Sequence, residues 1–274
     1  MTDSSDAAVD TALAAQAAER LRAAYETRTP CAPIRDLMGE SDIAAGYAVQ
    51  HVNIRARLED EGRHIVGRKI GLTSKAVQDQ LGVHQPDFGY LFDDMGYAES
   101  ETVPMSRLLQ PKAEAEIAFV LAEDLAEGPL DVEQVRGAVA HAVAALEIVD
   151  SRIADWDIRF TDTVADNASS GLYVLGDTAV SLDDVEPKDV TMTMTLDGEV
   201  VSQGTGAACL GDPLNALAWL AQTCRDFGEP LRAGHVVLSG ALGPMVAVPA
   251  GSTFTAEITG LGSVTARFSG KDDE

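Results

Sequence analysis

Hydrophobic and polar positions along the chain fall into two regimes that meet near residue 64. Over residues 7–26, Leu13, Ala17, Leu21 and Tyr25 recur at helical spacing in an alanine-rich stretch, which predicts an amphipathic helix. A second helix is predicted from Ser41, a residue type suited to the N-cap, to about Asp60. From Ile65 the pattern shortens into apolar runs punctuated by glycine. IVGRKIGL (65–72) reads as a strand, SKAVQDQLG (74–82) as a short helix, and HQPDFGYLFDDM (84–95) as a loop shaped by Pro86 and Gly89. PKAEAEIAFVL (111–121) reads as a buried strand. Asp131 with Gln134 resembles a capping box opening a helix to about Ala144, and LEIVD (146–150) and GLYVLG (171–176) read as strands. TMTMTLDGEVVSQG (191–204) predicts a hairpin turning on Asp197-Gly198. A helix follows from Asp212-Pro213 to Gly228, and HVVLSG, STFTAEITG and SVTARFSG close the chain as strands. The fold class is therefore α+β, with a helical region over 1–64 and a strand-rich region over 65–274.

Charge sharpens one stretch of this pattern. In PKAEAEIAFVL the period-two alternation puts Ala113, Ala115, Ile117, Phe119 and Leu121 on one face. Lys112, Glu114, Glu116 and Ala118 share the other, so two like charges point the same way from an otherwise apolar strand. Glu147, flanked by Leu146 and Ile148, is a third carboxylate in an apolar setting, where an unpartnered charge is costly. Three carboxylates with no cysteine or histidine beside them suit a hard divalent cation such as Mg²⁺ or Mn²⁺. The E-x-E spacing alone also fits a solvated edge strand. In GRKIG (67–71), Lys69 shares a strand face with Gly67 and Gly71, which leave room around its ammonium. It could hold a substrate carboxylate or carry a proton. Asp87, between Pro86 and Phe88, is a candidate acid or base. DTVADNASSG (162–171) could present hydroxyls and N–H groups to an anion.

Composition mainly excludes. The net charge of −24, from 44 acidic and 20 basic residues, opposes binding to nucleic acid or anionic lipid. No run of about 18 apolar residues predicts a membrane span, and the acidic, polar start MTDSSDAAVD does not read as a secretory signal. Cys31, Cys209 and Cys224 are widely spaced, as expected of reduced thiols in a cytoplasmic protein.

GRKIGLTSKAVQDQLGVHQPDFGYLFDDM, KAEAEIAFVL, ALEIVDSRIADWDIRFTDTVADNASSG and LRAGHVVLSGALGPMVAV together resemble the bacterial 2-oxopent-4-enoate (2-hydroxypenta-2,4-dienoate) hydratases. With the 4-oxalocrotonate decarboxylases, these enzymes form part of the fumarylacetoacetase-like superfamily. The resemblance runs from about residue 40 to the end. It implies a helical N-terminal part and a C-terminal mixed β-roll holding a divalent metal, Mg²⁺ or Mn²⁺, on Glu114, Glu116 and Glu147. It also implies catalytic roles for Lys69 and Asp87, and substrate contacts from Lys69, Ser169 and Ser170. The implied activity is a hydratase of a meta-cleavage pathway for aromatic or steroid breakdown. The implied assembly is a pentameric or decameric homo-oligomer that can associate with a pathway enzyme. Decarboxylation of 2-oxo-3-hexenedioate on the same scaffold is the alternative. It would be favoured by a basic residue at the far end of the substrate, for which Arg152 and Arg159 are candidates. Acylpyruvate hydrolysis would call for a water-activating His–Glu pair, which no histidine of this sequence supplies in an obvious position. A non-catalytic companion subunit would be expected to have lost a ligand or the lysine, and all are present.

Overall fold

The computed structural model describes residues 10–40, 42–74, 78 and 85–270. Helix α1 (Thr11–Thr27) is capped by Asp10, whose carboxylate accepts from the Ala12 and Leu13 amides. A short α2 (Arg35–Met38) follows, and then α3 (Ile43–Glu59), capped by Asp42 through the Ala45 amide. Ser41, expected as that cap, lies outside the described residues. Ala14, Ala17, Ala18 and Leu21 of α1 meet Ala45 and Val49 of α3 in a small apolar cluster that also takes in Ile153 and Ala165. The helical layer is thus seated on the strand-rich part. No helix among the described residues is long and apolar enough to cross a membrane.

The strand-rich part folds into two sheets. The strands of the first are β1 (Ile65–Gly71), β2 (Asp87–Phe92), β3 (Gly96–Ala98), β5 (Pro111–Leu121), β6 (Val139–Asp150), β7 (Leu172–Leu175), β10 (Val236–Leu238) and β11 (Val246–Ala247). They run in the order β2-β1-β10-β5-β6-β7-β3, with β11 also on β5, and β1 lies parallel to β10 while β5 runs antiparallel to both β10 and β6. The second sheet runs β4-β13-β12-β8-β9, from β4 (Thr102–Val103), β8 (Thr191–Leu196), β9 (Glu199–Thr205), β12 (Thr253–Ile258) and β13 (Gly262–Phe268). The main apolar core draws on both, with Phe119, Ile117 and Leu146 from the first and Met194, Phe254 and Val264 from the second. This α+β arrangement is the expected fold class.

Two expectations are corrected. The loop over 84–95 contains β2, whose six residues are all buried. Gly89 does not break it, because a glycine is tolerated in a strand where another backbone must come close. The helix expected from Asp131 to Ala144 stops early. Helix α4 (Val132–Gly137) has the expected cap, Asp131 accepting from the Gln134 amide, but residues 139–150 form β6. That strand sits between β5 and β7 and is buried from Ala142 onwards, so, Glu147 and Asp150 apart, both faces are apolar there and show no alternation. Its alanines mimic a helix. The hairpin turns as expected at Asp197 and Gly198, both at positive φ, and α6 (Pro213–Asp226) starts at the Asp212 cap. The helix expected over 74–82 falls almost wholly outside the described residues.

Candidate functional site

Register builds the centre of the site. In the antiparallel β5–β6 ladder Glu114 faces Glu147 directly, and Glu116 lies two residues on, opposite Ala145. Cross-strand partners share a face, so three carboxylates converge, with one oxygen from each within 4.8 Å of the others. Glu116 and Glu147 are buried, whereas Glu114 keeps part of its surface on a cavity although it sits deep in the chain. The Gly240 amide, just past β10, donates to Glu116 Oε2 at 2.8 Å. Glu116 Oε1 and both Glu147 oxygens have no hydrogen-bond partner among the described residues.

Lys69 is the counter-charge. Its Nζ is 3.1 Å from Glu147 Oε1, an ion-pair contact without hydrogen-bond alignment, and it donates to Ala168 O at 2.9 Å. Asp87 enters from the paired strand, where it faces Gly71. Its Oδ2 accepts from Thr163 Oγ1 at 3.3 Å, while Oδ1 has no partner among the described residues. Thr163 comes from α5 (Phe160–Ala165). A β-carbon on Gly71 would sit 2.2 Å from Asp87 Oδ1 and 3.5 Å from Lys69 Nζ, so only glycine leaves these two groups their space. A cavity of about 440 Å³ opens here, lined by Lys69, Asp87, Glu114, Thr163 and Ser169 on one side. Trp156, Ile158, Arg159 and Met245 form part of its other walls, and Lys112 Nζ stands 4.2 Å over the Trp156 ring.

Electrostatics follow from burial. Glu114 is pushed up to about 7, first by burial and then by the charge of Glu147, and Glu116 is held well above the ordinary range for the same two reasons. Burial also raises Asp87, to about 6, with Lys69 and the Thr163 hydroxyl offsetting only part of it. Burial alone would lower Lys69, but Glu147, then Asp87, Glu114 and Glu116 outweigh it and hold the ammonium above its ordinary value. Lys69, helped at Glu114 by Lys112, does not offset the burial of these groups, so Glu114, Glu116 and Asp87 are all biased toward their protonated forms. A dication would remove that bias. Three converging carboxylates, two of which carry buried oxygens with no partner among the described residues, match the preference of a hard divalent cation, and the residues present therefore fit such an ion.

The turn at 167–169 contributes Ala168 and Ser169 to the cavity wall. Asn167, Ala168 and Ser169 all have positive φ, between 52° and 54°, which L-residues seldom adopt outside functional or over-determined sites. Ser169 Oγ is buried on the cavity with no partner among the described residues. Ser170, expected to share its role, turns away: its hydroxyl donates to Asn167 O at 2.6 Å, and it lines a separate cavity beneath the helical layer. The structure separates the two candidate arginines as well. Arg159 borders the site, whereas Arg152 spends its guanidinium on Asp166 Oδ1 (2.5 Å), Asp166 O (2.5 Å) and Ser170 O (2.7 Å) and does not line the cavity. Gly71 leaves room around the Lys69 ammonium as expected, whereas Thr163 and Asn167 were not singled out from the sequence. Only the small polar run around 162–171 hinted at them.

Residues 66–269 match the model of the family described as Fumarylacetoacetate (FAA) hydrolase C-terminal. The 2-keto-4-pentenoate hydratase of Paraburkholderia phymatum is 57% identical over 252 residues, covering 92% of this chain and 96% of that protein. The TodF product hydratase of Pseudomonas putida is 55% identical over 253 residues, covering 92% and 94%. Among solved structures, 4-oxalocrotonate decarboxylase from Pseudomonas putida G7, complexed with magnesium and adipate, superposes with a TM-score of 0.89 at 35% identity, covering 95% of this chain and 98% of that one. A family match across most of the chain and relatives above half identity agree with the converging carboxylates, and the chain belongs to the fumarylacetoacetate hydrolase C-terminal family.

Proposed function

We propose that the chain is a hydratase that adds water to 2-hydroxypenta-2,4-dienoate (2-keto-4-pentenoate) to give 4-hydroxy-2-oxopentanoate, in the cytoplasmic meta-cleavage degradation of aromatic compounds. The observation that carries the reading is the convergence of Glu114, Glu116 and Glu147 beside Lys69 and Asp87 on one cavity, in a chain 57% identical to a protein of that name. Glu114, Glu116 and Glu147 would hold Mg²⁺ or Mn²⁺. The bound cation would supply an electrophilic anchor for the carboxylate and C2 oxygen of a 2-oxo acid. Everything else falls to side chains. Ser169 Oγ, buried and without a partner among the described residues, is a ready donor to the substrate carboxylate, and Lys69 offsets its charge.

Chemistry requires proton traffic at four atoms. The C2 hydroxyl loses a proton and C5 gains one, giving an α,β-unsaturated ketone. Water then forms a bond to C4, releases a proton, and C3 is protonated. Asp87, raised to about 6, can both accept and return a proton near neutrality. Lys69, held as an ammonium, is suited to donate rather than to abstract. Asp87 is therefore the base in this reading, and it activates the water.

Decarboxylation of 2-oxo-3-hexenedioate is the second reading, favoured by the 35% identical decarboxylase fold and by Arg159 on the cavity wall. The purified protein, incubated with each substrate with and without Mg²⁺, separates the two. Metal-dependent loss of the dienoate chromophore with a 4-hydroxy product supports hydration. CO₂ release from the dioate that outpaces hydration refutes it. The proposal extends to the pentameric or decameric assembly. Exposed Phe227, Met245, Leu58 and Val52 offer apolar surface for subunit contacts, and a monomer by light scattering would reject that part.

A further inference from the structure

Asn167 binds nothing in the reaction just described, yet its side chain is spent on one task. Its Oδ1 accepts from the Tyr90 amide at 2.7 Å, and its Nδ2 donates to Tyr90 O at 3.0 Å. Both partners are main-chain groups of a single residue of β2, so the amide is clamped as a second strand would be. Gly89, next to Tyr90, faces Lys69 across the β1–β2 ladder. A β-carbon on Gly89 would meet Asn167 O at 2.3 Å and Ser170 Oγ at 2.5 Å, so the turn lies directly against β2 where glycine leaves room. One residue beyond Asn167, the Ala168 carbonyl receives the Lys69 ammonium at 2.9 Å. One further, Ser169 presents to the cavity a hydroxyl that has no partner among the described residues. The ends of the turn are held separately, by Arg152 on Asp166 and on Ser170 O. Its middle is held to β2 by the Asn167 amide.

We propose that Asn167 is a positioning residue for the hydration: its amide fastens the left-handed turn to β2 and thereby fixes the direction of the Lys69 ammonium and the Ser169 hydroxyl. The choice of asparagine has a physical reason, since its short polar side chain tolerates the left-handed region better than most and supplies one donor and one acceptor at once. The lysine side chain has four rotatable bonds and would otherwise sample several directions within reach of Glu147 and Asp87. Loss of direction at a proton-carrying group lowers turnover without weakening ground-state binding by an equal factor.

The inference rests on the hydratase reading, and the test keeps the two apart. Asn167→Gly removes both side-chain bonds and keeps the backbone freedom that positive φ requires. We expect kcat for 2-hydroxypenta-2,4-dienoate to fall about tenfold or more while KM rises by a clearly smaller factor, through the Ser169 and Lys69 contacts with the substrate carboxylate. The NMR signal of the Lys69 ammonium, assigned by its loss in Lys69→Arg, is expected to shift or broaden in the metal-free variant. A smaller fall in kcat, a rise in KM that matches it, or an unmoved Lys69 signal overturns the inference. Should the glycine variant not fold, Asn167→Asp is judged by the same criteria, because it keeps the acceptor for the Tyr90 amide and loses the donor. Wild-type protein without hydratase turnover would refute the functional reading, and the Lys69 signal would then decide the positioning claim by itself.

Discussion

Replacing Asp87 by asparagine is expected to stabilise the metal-free protein while disabling it, and the stabilisation carries a pH signature. Asp87 is fully buried, one of its oxygens has no partner among the described residues, and its pKa stands at about 6 against 3.8 for the free group. A folded-state pKa above the unfolded one means that the fold favours the protonated carboxyl. Below about pH 4 the group is neutral in both states and costs nothing. As pH rises from there through 6, the unfolded chain ionises first and the native state loses stability. Above 6 the penalty levels off at roughly 3 kcal/mol, from about two units at 1.36 kcal/mol each. Asparagine is neutral throughout, so the variant escapes the penalty. Any change in hydrogen bonding to Thr163 is independent of pH and cancels when one pH is compared with another. The stability of Asp87→Asn relative to wild type should therefore grow by ~1.4 kcal/mol between pH 5 and pH 8, with most of the rise below about pH 6.5. Urea denaturation followed by circular dichroism, in chelator at several pH values, measures it. A difference that stays flat or shrinks as pH rises would refute the electrostatic account of this carboxyl. The same variant should lose on the order of 10²–10⁴-fold in turnover, the usual contribution of a positioned base.

Two further outcomes follow from the geometry. Added Mg²⁺ or Mn²⁺ should raise the thermal midpoint of the wild type, by a stability increment near 2.7 kcal/mol at a hundredfold excess over Kd, and Glu116→Gln should abolish the increment together with activity; an undiminished metal response in that variant would remove Glu116 from the site. Gly89→Ala should cost about 1–3 kcal/mol in chemical denaturation, because the added methyl meets the Asn167 carbonyl at 2.3 Å and backbone cannot swing aside as a side chain can; a neutral effect would show that the turn does not press on β2.

The carboxylate triad was legible in the chain because two local rules exposed it. Period two put Glu114 and Glu116 on one face, and Leu146 and Ile148 made Glu147 conspicuous as a charge in an apolar run. What the chain could not convey was register. That Glu114 faces Glu147, 33 positions away, rather than a neighbour is settled by the whole β5–β6 ladder. The same limit explains β6, where alanine and valine read as a helix until the two flanking strands are known. Gly89 misled for a related reason. It looked like loop punctuation, but its missing side chain answers a contact with Asn167, 78 residues away. Thr163 and Asn167 act only through atoms brought to them by the fold, and no local pattern marks such a role.

Arg152 shows how the site's surroundings bear on its chemistry. From sequence it was a candidate to meet a far carboxylate of a longer substrate, which would have favoured decarboxylation. In the fold its charge is answered by Asp166, itself raised to about 6 by burial despite that arginine, and its remaining donors close on the backbone of the turn at 166–170. A guanidinium so committed cannot turn to substrate without releasing a buried carboxylate, which costs several kcal/mol when the partner is left unpaired. Among the described residues, positive charge for a second carboxylate is left to Arg159 and Lys112, and Lys112 already rests against Trp156. Arg159 is, among the described residues, the one arginine on the cavity, set against Ile158, Val149 and Met245, a lining that suits a short monocarboxylate with an apolar end and leaves Arg159 as the feature that would favour a dioate. The balance tips toward hydration on the strength of where one buried arginine points.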